Sequence, residues 1–331
     1  MRPFDSIDDF CSAVTLLSPE VTDRAVNELS RKVILRFRSA RERSRSYREF
    51  TIPKKGGGER TITAPTGYLK DILTCIGGLL DGIYEPSACA MGFVRGRSVL
   101  TNASAHLGKE YLINVDLKDF FPSIGAPKVE SALVRLGVDP LTARLVSTLC
   151  CIPVERDGKI INVLPQGSPA SPVLSNIACS AMDTRMEEMA ASFGFTYTRY
   201  ADDLSFSRER PMYADEAALF WDRLRAIVRE HGLRLNPKKT RIQQRGGRHE
   251  VTGLVVSGKV NVPRSFMKNL RAAIHQMEEG GADPAEIRRT RGRLAYAAMV
   301  RGKDDPAVRA LRRRLRRVMY IYKQSTQACT S

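Results

Sequence analysis

Apolar positions along the chain follow two periods. Leu311, Leu315, Val318 and Tyr322 recur at helical spacing in ALRRRLRRVMYIY, and Phe220, Leu224, Ile227 and Val228 do so in ADEAALFWDRLRAIVREHG. Each set forms one face of a helix, and Gly232 is placed to end the second. EYLINVDLKDFF reads differently: Tyr111 to Val115 is a nearly continuous apolar run of strand length that ends on Asp116. FTYTRY and LSFS are two further strand-like runs, joined through Ala201, Asp202 and Asp203 as a hairpin. FTIPKKGGGERTITAP is another hairpin, with strands Phe50 to Pro53 and Arg60 to Ala64 about a turn of Gly56, Gly57 and Gly58. Helices are predicted over Lys128 to Leu136 and Leu141 to Cys150. LPQGSPASPVLSNIACSAMDTRMEEMA is a loop that becomes a long helix, with Ser168 or Ser171 as its cap and Pro169 or Pro172 in its first turn. Near the start, SPEVTDRAVNELSRKV offers Ser18 as an N-cap ahead of Val21, Ala25 and Leu29. LRL and EVTGLVV supply more strands, and the chain is helical from Arg264. The order strand, helix, hairpin, helix, strand predicts an α+β fold whose sheet is covered by helices on one face.

Composition narrows the class. The chain has 331 residues, 43% apolar and 27% charged, as a folded protein does. No run is long and apolar enough for a membrane span, and MRPFDSIDDF is acidic where a secretion signal is basic. A cytoplasmic location is expected. The seven cysteines (Cys11, Cys75, Cys89, Cys150, Cys151, Cys179 and Cys329) include no C-x-x-C pair, so neither a zinc site nor a disulfide framework is expected. Lys and Arg number 53 against 36 Asp and Glu, a net charge of +17. The excess is clustered: Arg291 to Lys323 holds 11 basic and 2 acidic residues. A polyanion, nucleic acid above all, is the expected partner. The basic run Arg36 to Phe50 reads either as a solvated helix face or as a phosphate contact.

Adjacent carboxylates at Asp202 and Asp203 repel unless a cation relieves them. Asp116 also ends a strand-like run, and if the two strands are neighbours the three carboxylates meet at one sheet edge. Such an oxygen-only set suits two Mg²⁺ ions, with Mn²⁺ as a substitute, and two-ion phosphoryl transfer. YADD (Tyr200 to Asp203) resembles the catalytic motif of reverse transcriptases. NVDLKDFFPSI resembles the first metal-binding motif of that family, LPQGSPASPVLSNI its nucleotide-binding loop, IPKKGGGERTI its fingers hairpin and LNPKKT the motif after the active-site hairpin. NASAH (Asn102 to His106) and VTG (Val251 to Gly253) are similar to short elements of bacterial retron reverse transcriptases.

The resemblance implies a right-hand polymerase fold. Residues 1–50 would form an N-terminal helical segment, 51–110 the fingers, 111–260 the palm with part of the fingers inserted around 125–165, and 261–331 a basic helical thumb. It implies Asp116, Asp202 and Asp203 as catalytic metal ligands, with the Leu117 carbonyl as a further oxygen. Phe121 resembles the gate that excludes a 2′-OH, and Gln166 and Gly167 the lining of the incoming nucleotide. Lys54, Lys55 and Arg60 are candidates for triphosphate and template phosphates, and Lys239 for assisting pyrophosphate. Arg312, Arg313, Arg316 and Arg317 would meet a duplex backbone. Asn102 and His106 read either as a buried hydrogen-bonded pair or, with Val251, Thr252 and Gly253, as contacts to structured RNA.

The activity so implied is RNA-templated DNA synthesis from dNTPs. In a retron it copies a cognate structured non-coding RNA from an internal 2′-OH into a branched RNA–DNA hybrid (msDNA), in an anti-phage system with a separately encoded effector protein. The alternative is another bacterial reverse transcriptase, group II intron-like or diversity-generating. An RNA-directed RNA polymerase is disfavoured by Phe121, and a silent binding scaffold by three carboxylates that repel phosphate.

Overall fold

A computed structural model describes residues 4–22, 28–54, 57–244, 246–281 and 283–328. Ala25, Lys55, Gly56 and Cys329, used in the sequence reading, lie outside them. The chain starts with α1 (Ile7–Val21), α2 (Arg31–Arg36) and α3 (Ala40–Arg45), the strands β1 (Tyr47–Pro53) and β2 (Glu59–Pro65), then α4 (Gly67–Ile83) and α5 (Val99–Ser104). Next are β3 (Tyr111–Asp116), α6 (Ala126–Arg135), α7 (Pro140–Cys150), β4 (Ile152–Arg156), β5 (Lys159–Val163) and α8 (Ser171–Ser192). The hairpin β6 (Thr196–Tyr200) and β7 (Asp203–Arg208) leads to α9 (Ala214–Glu230), β8 (Arg241–Gln244), β9 (Glu250–Val251) and β10 (Leu254–Val255). Three helices close the chain: α10 (Arg264–Gly280), α11 (Pro284–Arg301) and α12 (Pro306–Ala328). The mix of helices and strands is the α+β class that the pattern predicts.

Two compact units divide these elements: residues 1–96, 114–205 and 212–241, and residues 97–113, 206–211 and 242–331. This partition differs from the expected four-part division. It places α5, with Asn102, in the unit of the C-terminal helices.

The main sheet has the strand order β6-β7-β3-β8. Alternation explains its two faces. Ile113 and Val115 of β3 and Leu204 and Phe206 of β7 form a buried apolar face. Asn114, Asp116, Asp203 and Ser205 point the other way, and Asn114 Nδ2 donates to Ser205 Oγ at 3.0 Å. The acidic residues therefore sit on the polar face, at the strand ends. In the first unit α8 buries Val173, Leu174, Ile177, Met182 and Met186, and α9 the Phe220, Leu224, Ile227 and Val228 set. In the second unit α10, α11 and α12 share a core that includes Leu270, Ile274, Leu294, Leu311, Leu315 and Val318.

Local expectations needed correction. Ser18 caps nothing: it is buried in the last turn of α1, and Ser6 is the N-cap, accepting from Asp9 N at 3.1 Å. The apolar face of Phe10, Cys11 and Val14 carries the helix through the apparent start signal. Neither serine caps α8, whose N-cap is Ala170. Ser171 is its first residue and donates to the Pro165 carbonyl at 2.8 Å, while Pro172 does occupy the first turn. LRL is not a strand; Leu235 only bridges Leu117. Helix α4 and the β4–β5 hairpin were not anticipated.

Candidate active site

Within the first unit, a cavity of about 1030 Å³ is lined by Asp116, Leu117, Asp202, Lys54, Arg60, Phe121, Gln166, Gly167 and Lys239, which the sequence had singled out. Asp203 follows Asp202 as the first residue of β7, with its side chain reaching solvent.

Hydrogen bonds fix the acidic wall. Leu117 N donates to the Asp202 carbonyl at 2.9 Å, so the hairpin turn is tied to the end of β3. The Asp116 carbonyl accepts from Asn236 N at 2.8 Å. Both Asp116 carboxylate oxygens are engaged: Asn236 Nδ2 donates at 2.9 Å and Lys239 Nζ at 2.7 Å. Burial and then Asp116 raise the Asp202 pKa, with Lys239 and Arg60 opposing. Burial, then Asp202 and Asp116, push Asp203 up to about 6, against Lys239 and Arg241. The Asp116 hydrogen bond raises Lys239. Burial first, and then repulsion from the neighbouring carboxylates, disfavours the charged form of Asp202 and Asp203. Their donors are all hard oxygens, which fits a divalent ion of the Mg²⁺ class. Among the described residues no group of three or more acidic, His or Cys side chains is arranged to hold a metal ion, so the expected meeting of Asp116, Asp202 and Asp203 as one ligand set is not formed here. A cation at Asp116 would take over the oxygen that Lys239 now occupies.

The opposite wall is basic. Antiparallel pairing of β1 and β2 sets Ile52 against Arg60. Lys54 N donates to the Gly58 carbonyl at 3.0 Å across the turn, and Lys54 and Arg60 are both exposed. The Gln166 loop is pinned to this hairpin, since Thr63 N donates to the Gln166 carbonyl at 2.8 Å. Gly167 has φ +129°, and an added Cβ would lie 2.8 Å from Ile62 Cγ2 and 3.1 Å from the Thr63 carbonyl oxygen. Glycine is needed there for conformation and for space.

Phe121 lines the cavity and packs against two rings, its centroid 5.4 Å from that of Phe120 and 5.9 Å from that of Phe93. Sequence reasoning missed Phe93, whose φ of +60° holds it in the left-handed region. It also missed Asn236, although LNPKKT contains it: an uncharged side chain in a turn gave no signal. Lys118 and Asp119 line the cavity as well.

Asn102, His106, Val251, Thr252, Gly253 and the predicted arginines of α12 belong to the second unit and do not line this cavity, and Asp203 of the first unit is not in its lining either. Asn102 and His106 are fully buried, as is Val251. His106 Nδ1 shares a hydrogen bond with Ser207 Oγ at 2.7 Å, and burial, helped by Lys109, lowers the imidazole to about 4. Thr252 and Gly253 form the β9–β10 turn with φ of +47° and +80°. On α12, Arg313, Arg316 and Arg317 are exposed and Arg312 is half-buried. No helix among the described residues is long and apolar enough to cross a membrane.

The family described as reverse transcriptase (RNA-dependent DNA polymerase) matches residues 52–261. The chain is 38% identical to the retron Mx162 reverse transcriptase of Myxococcus xanthus, over 79% of this chain and 58% of that protein. It therefore spans little more than half of that relative. It is also 38% identical to the retron Ec86 reverse transcriptase of Escherichia coli, over 78% of each. A solved telomerase of Candida albicans, in complex with a fragment of telomeric RNA, aligns at 12% identity and a TM-score of 0.49, over 83% of this chain and 56% of that one.

Proposed function

Because this chain belongs to the retron reverse transcriptases of bacteria, we propose that it is an RNA-directed DNA polymerase that copies a structured RNA into a branched RNA–DNA hybrid. The observation that carries the reading is the pairing of walls in one cavity: Asp116 and Asp202 on one side, Arg60, Lys54 and the Gln166–Gly167 loop on the other. A triphosphate is bound by cations, while the reacting end needs carboxylates that hold counter-ions. A simple nucleic-acid binder has no use for the acidic wall. The first unit would supply fingers and palm, and the helices of the second the thumb.

In this reading Arg60 and Lys54 bind the triphosphate, with the guanidinium fork of Arg60 suited to two phosphate oxygens. Gly167 lets backbone approach the nucleotide, and Gln166 donates to its sugar or phosphate. Phe121, backed by Phe93 and Phe120, fills the space of a 2′-OH and selects dNTPs. Divalent cations held by Asp116, Asp202 and Asp203, with the Leu117 carbonyl as a further oxygen, would neutralise phosphate charge and acidify the attacking hydroxyl. A primer hydroxyl oxygen bonds to the α-phosphorus, the bond to the β-phosphate breaks, and pyrophosphate leaves. The proton of the attacking hydroxyl passes to solvent, and Lys239 Nζ, released from Asp116, would give a proton to the leaving pyrophosphate. A retron role adds priming from a 2′-OH of the cognate RNA, a cytoplasmic location, and an anti-phage complex with a separate effector.

Two experiments test this. Purified protein with a primed RNA template, dNTPs and Mg²⁺ should make DNA, and Asp202→Asn/Asp203→Asn should abolish synthesis while keeping RNA binding. Retained synthesis would remove the catalytic assignment. Protein expressed with its flanking DNA should copurify with a discrete DNA whose mobility changes on RNase or debranching treatment. Heterogeneous RNA without linked DNA would leave the polymerase and remove the retron role.

A further inference from the structure

Behind the turn that carries Asp202 lies a buried polar cluster that the proposed chemistry does not use. Arg199 and Asp183 are both fully buried. Arg199 Nε and Nη2 donate to the two Asp183 oxygens at 2.7 and 2.6 Å. The Tyr197 hydroxyl donates to the same carboxylate at 3.2 Å. The remaining prong, Nη1, donates to Asn176 Oδ1 at 3.0 Å and to the Ala201 carbonyl at 3.4 Å. Asn176 in turn donates to the Gly92 carbonyl at 2.9 Å.

The turn needs such support. Ala201 has φ +56°, a left-handed conformation that a residue with a Cβ disfavours. Gly92 packs directly behind it: an added Cβ would lie 2.6 Å from Ala201 N. The backbone of Arg199 is itself fixed, since its N–H donates to the Cys89 carbonyl at 2.8 Å and its carbonyl accepts from Met91 N at 2.7 Å. A buried ion pair is a weak source of stability, because desolvation offsets its attraction. What a guanidinium adds is direction: a rigid fork, oriented by one carboxylate, aims its third prong at one backbone oxygen. That oxygen belongs to the residue just before Asp202.

We propose that Arg199, oriented by Asp183 and Asn176, is a positioning residue of the catalytic turn, fixing the Ala201 backbone so that Asp202 presents its carboxylate beside Asp116. This rests on the reading of those carboxylates as the cation-binding catalytic set.

The test uses two variants of the whole chain. Arg199→Met/Asp183→Leu removes fork and counter-ion together and leaves no unpaired charge, a replacement that folds can tolerate. Asn176→Ala keeps the ion pair and removes one acceptor and the tie to Gly92. Each is compared with wild type by thermal unfolding, by Mn²⁺ titration of the free protein followed by electron paramagnetic resonance, and by primed synthesis with kcat and dNTP KM separated. Asp202→Asn marks complete loss of the ion site. In the double variant, unfolding should stay cooperative, Mn²⁺ affinity should fall about tenfold and kcat about 100-fold, with KM within about threefold. Asn176→Ala should move both in the same direction by about fivefold. Cooperatively folded variants whose Mn²⁺ affinity and kcat stay within about twofold of wild type would overturn the proposal. If the double variant does not fold, Asn176→Ala decides by the same two readouts. A wild-type protein that binds Mn²⁺ but makes no DNA would defeat the polymerase reading, and the Mn²⁺ comparison would still decide the role of Arg199.

Discussion

The side-chain amide of Asn102 donates to the hydroxyl of Thr252 at 3.4 Å, joining two short motifs that lie 150 residues apart in sequence. Asn102 is fully buried, and its Oδ1 has no hydrogen-bond partner among the described residues. Thr252 is held at φ +47° and leads into Gly253 at +80°. The pair thus fastens α5 to the β9–β10 turn within one compact unit. Buried and bonded to Thr252, Asn102 has the geometry of an internal tie. Asn102→Ala and Thr252→Ala should each lower stability by about 1 kcal/mol. Together they should cost less than the sum, with a coupling of about 0.5 kcal/mol in a double-mutant cycle by urea unfolding. Strict additivity would mean that the two side chains do not interact.

The Phe121 ring packs against both Phe120 and Phe93. Phe121→Ala should open space for a 2′-OH and reduce discrimination against ribonucleotides by about 100-fold, mainly through better use of rNTPs. Phe93→Ala removes only the outer support and should have a smaller effect in the same direction. Competition assays with paired dNTP and rNTP on one template measure both. Unchanged sugar selectivity in Phe121→Ala would end its assignment as the gate.

Gly167 makes a sharper prediction because both conformation and space forbid a side chain there. Gly167→Ala should reduce kcat/KM for dNTPs by about 100-fold, since the Gln166 loop must shift away from β2. Trimming Ile62 to Ala should not restore activity: the Thr63 carbonyl oxygen, 3.1 Å from the new Cβ, is backbone and cannot retreat. Recovery in the double variant would show that only the Ile62 contact mattered.

The carboxylates also set a pH dependence. Burial and mutual repulsion raise Asp202 and Asp203, the latter from 3.8 to about 6. A carboxylate whose folded pKa lies above its unfolded value favours the folded state while protonated. Its contribution is full below the unfolded value near 3.8 and is lost as pH rises through about 6. Without divalent cations, these groups should therefore lower the melting temperature across that window. Asp203→Asn should flatten the slope and raise Tm at pH 7 by about 2 °C, equivalent to about 1 kcal/mol for a side chain screened by solvent. Scanning calorimetry in EDTA buffer at several pH values checks both. An unchanged slope would mean that the fold does not raise Asp203.

What could be read from the sequence was what local pattern determines. The strand-like runs were legible with their acidic ends, Asp116 closing one and Asp202 and Asp203 joining two others, and the helix faces of α9 and α12 matched their buried stripes. Glycine, Pro and charge runs marked the β1–β2 turn. What could not be read depended on distant partners. The role of Arg199 is visible only when Asp183 and Asn176 are brought beneath it, Phe93 only when it meets Phe121, and Asn236 only when it reaches Asp116. Ser18 misled for the same reason: its local cap signal was overridden by a face that continues through it.

The arginines of α12 do not have equal standing, although they are adjacent in sequence. Arg314 Nε and Nη2 donate to both Glu278 oxygens at 3.0 and 2.5 Å, which ties α12 to α10 and spends that charge internally. Arg313, Arg316 and Arg317 project from the helix into solvent. If this face meets a nucleic-acid backbone, each exposed arginine releases counter-ions on binding, and Arg314 does not. Replacing Arg313, Arg316 or Arg317 by Ala should reduce the magnitude of the slope of log K against log salt by about 1 each. Arg314→Ala should leave that slope unchanged and lower stability by about 1 kcal/mol or less, as for an exposed ion pair. Fluorescence anisotropy with an RNA–DNA duplex over a range of salt concentrations separates the two classes. A slope that is shallow in wild type, or equally reduced by Arg314→Ala, would show that the cationic face of α12 is not the binding surface.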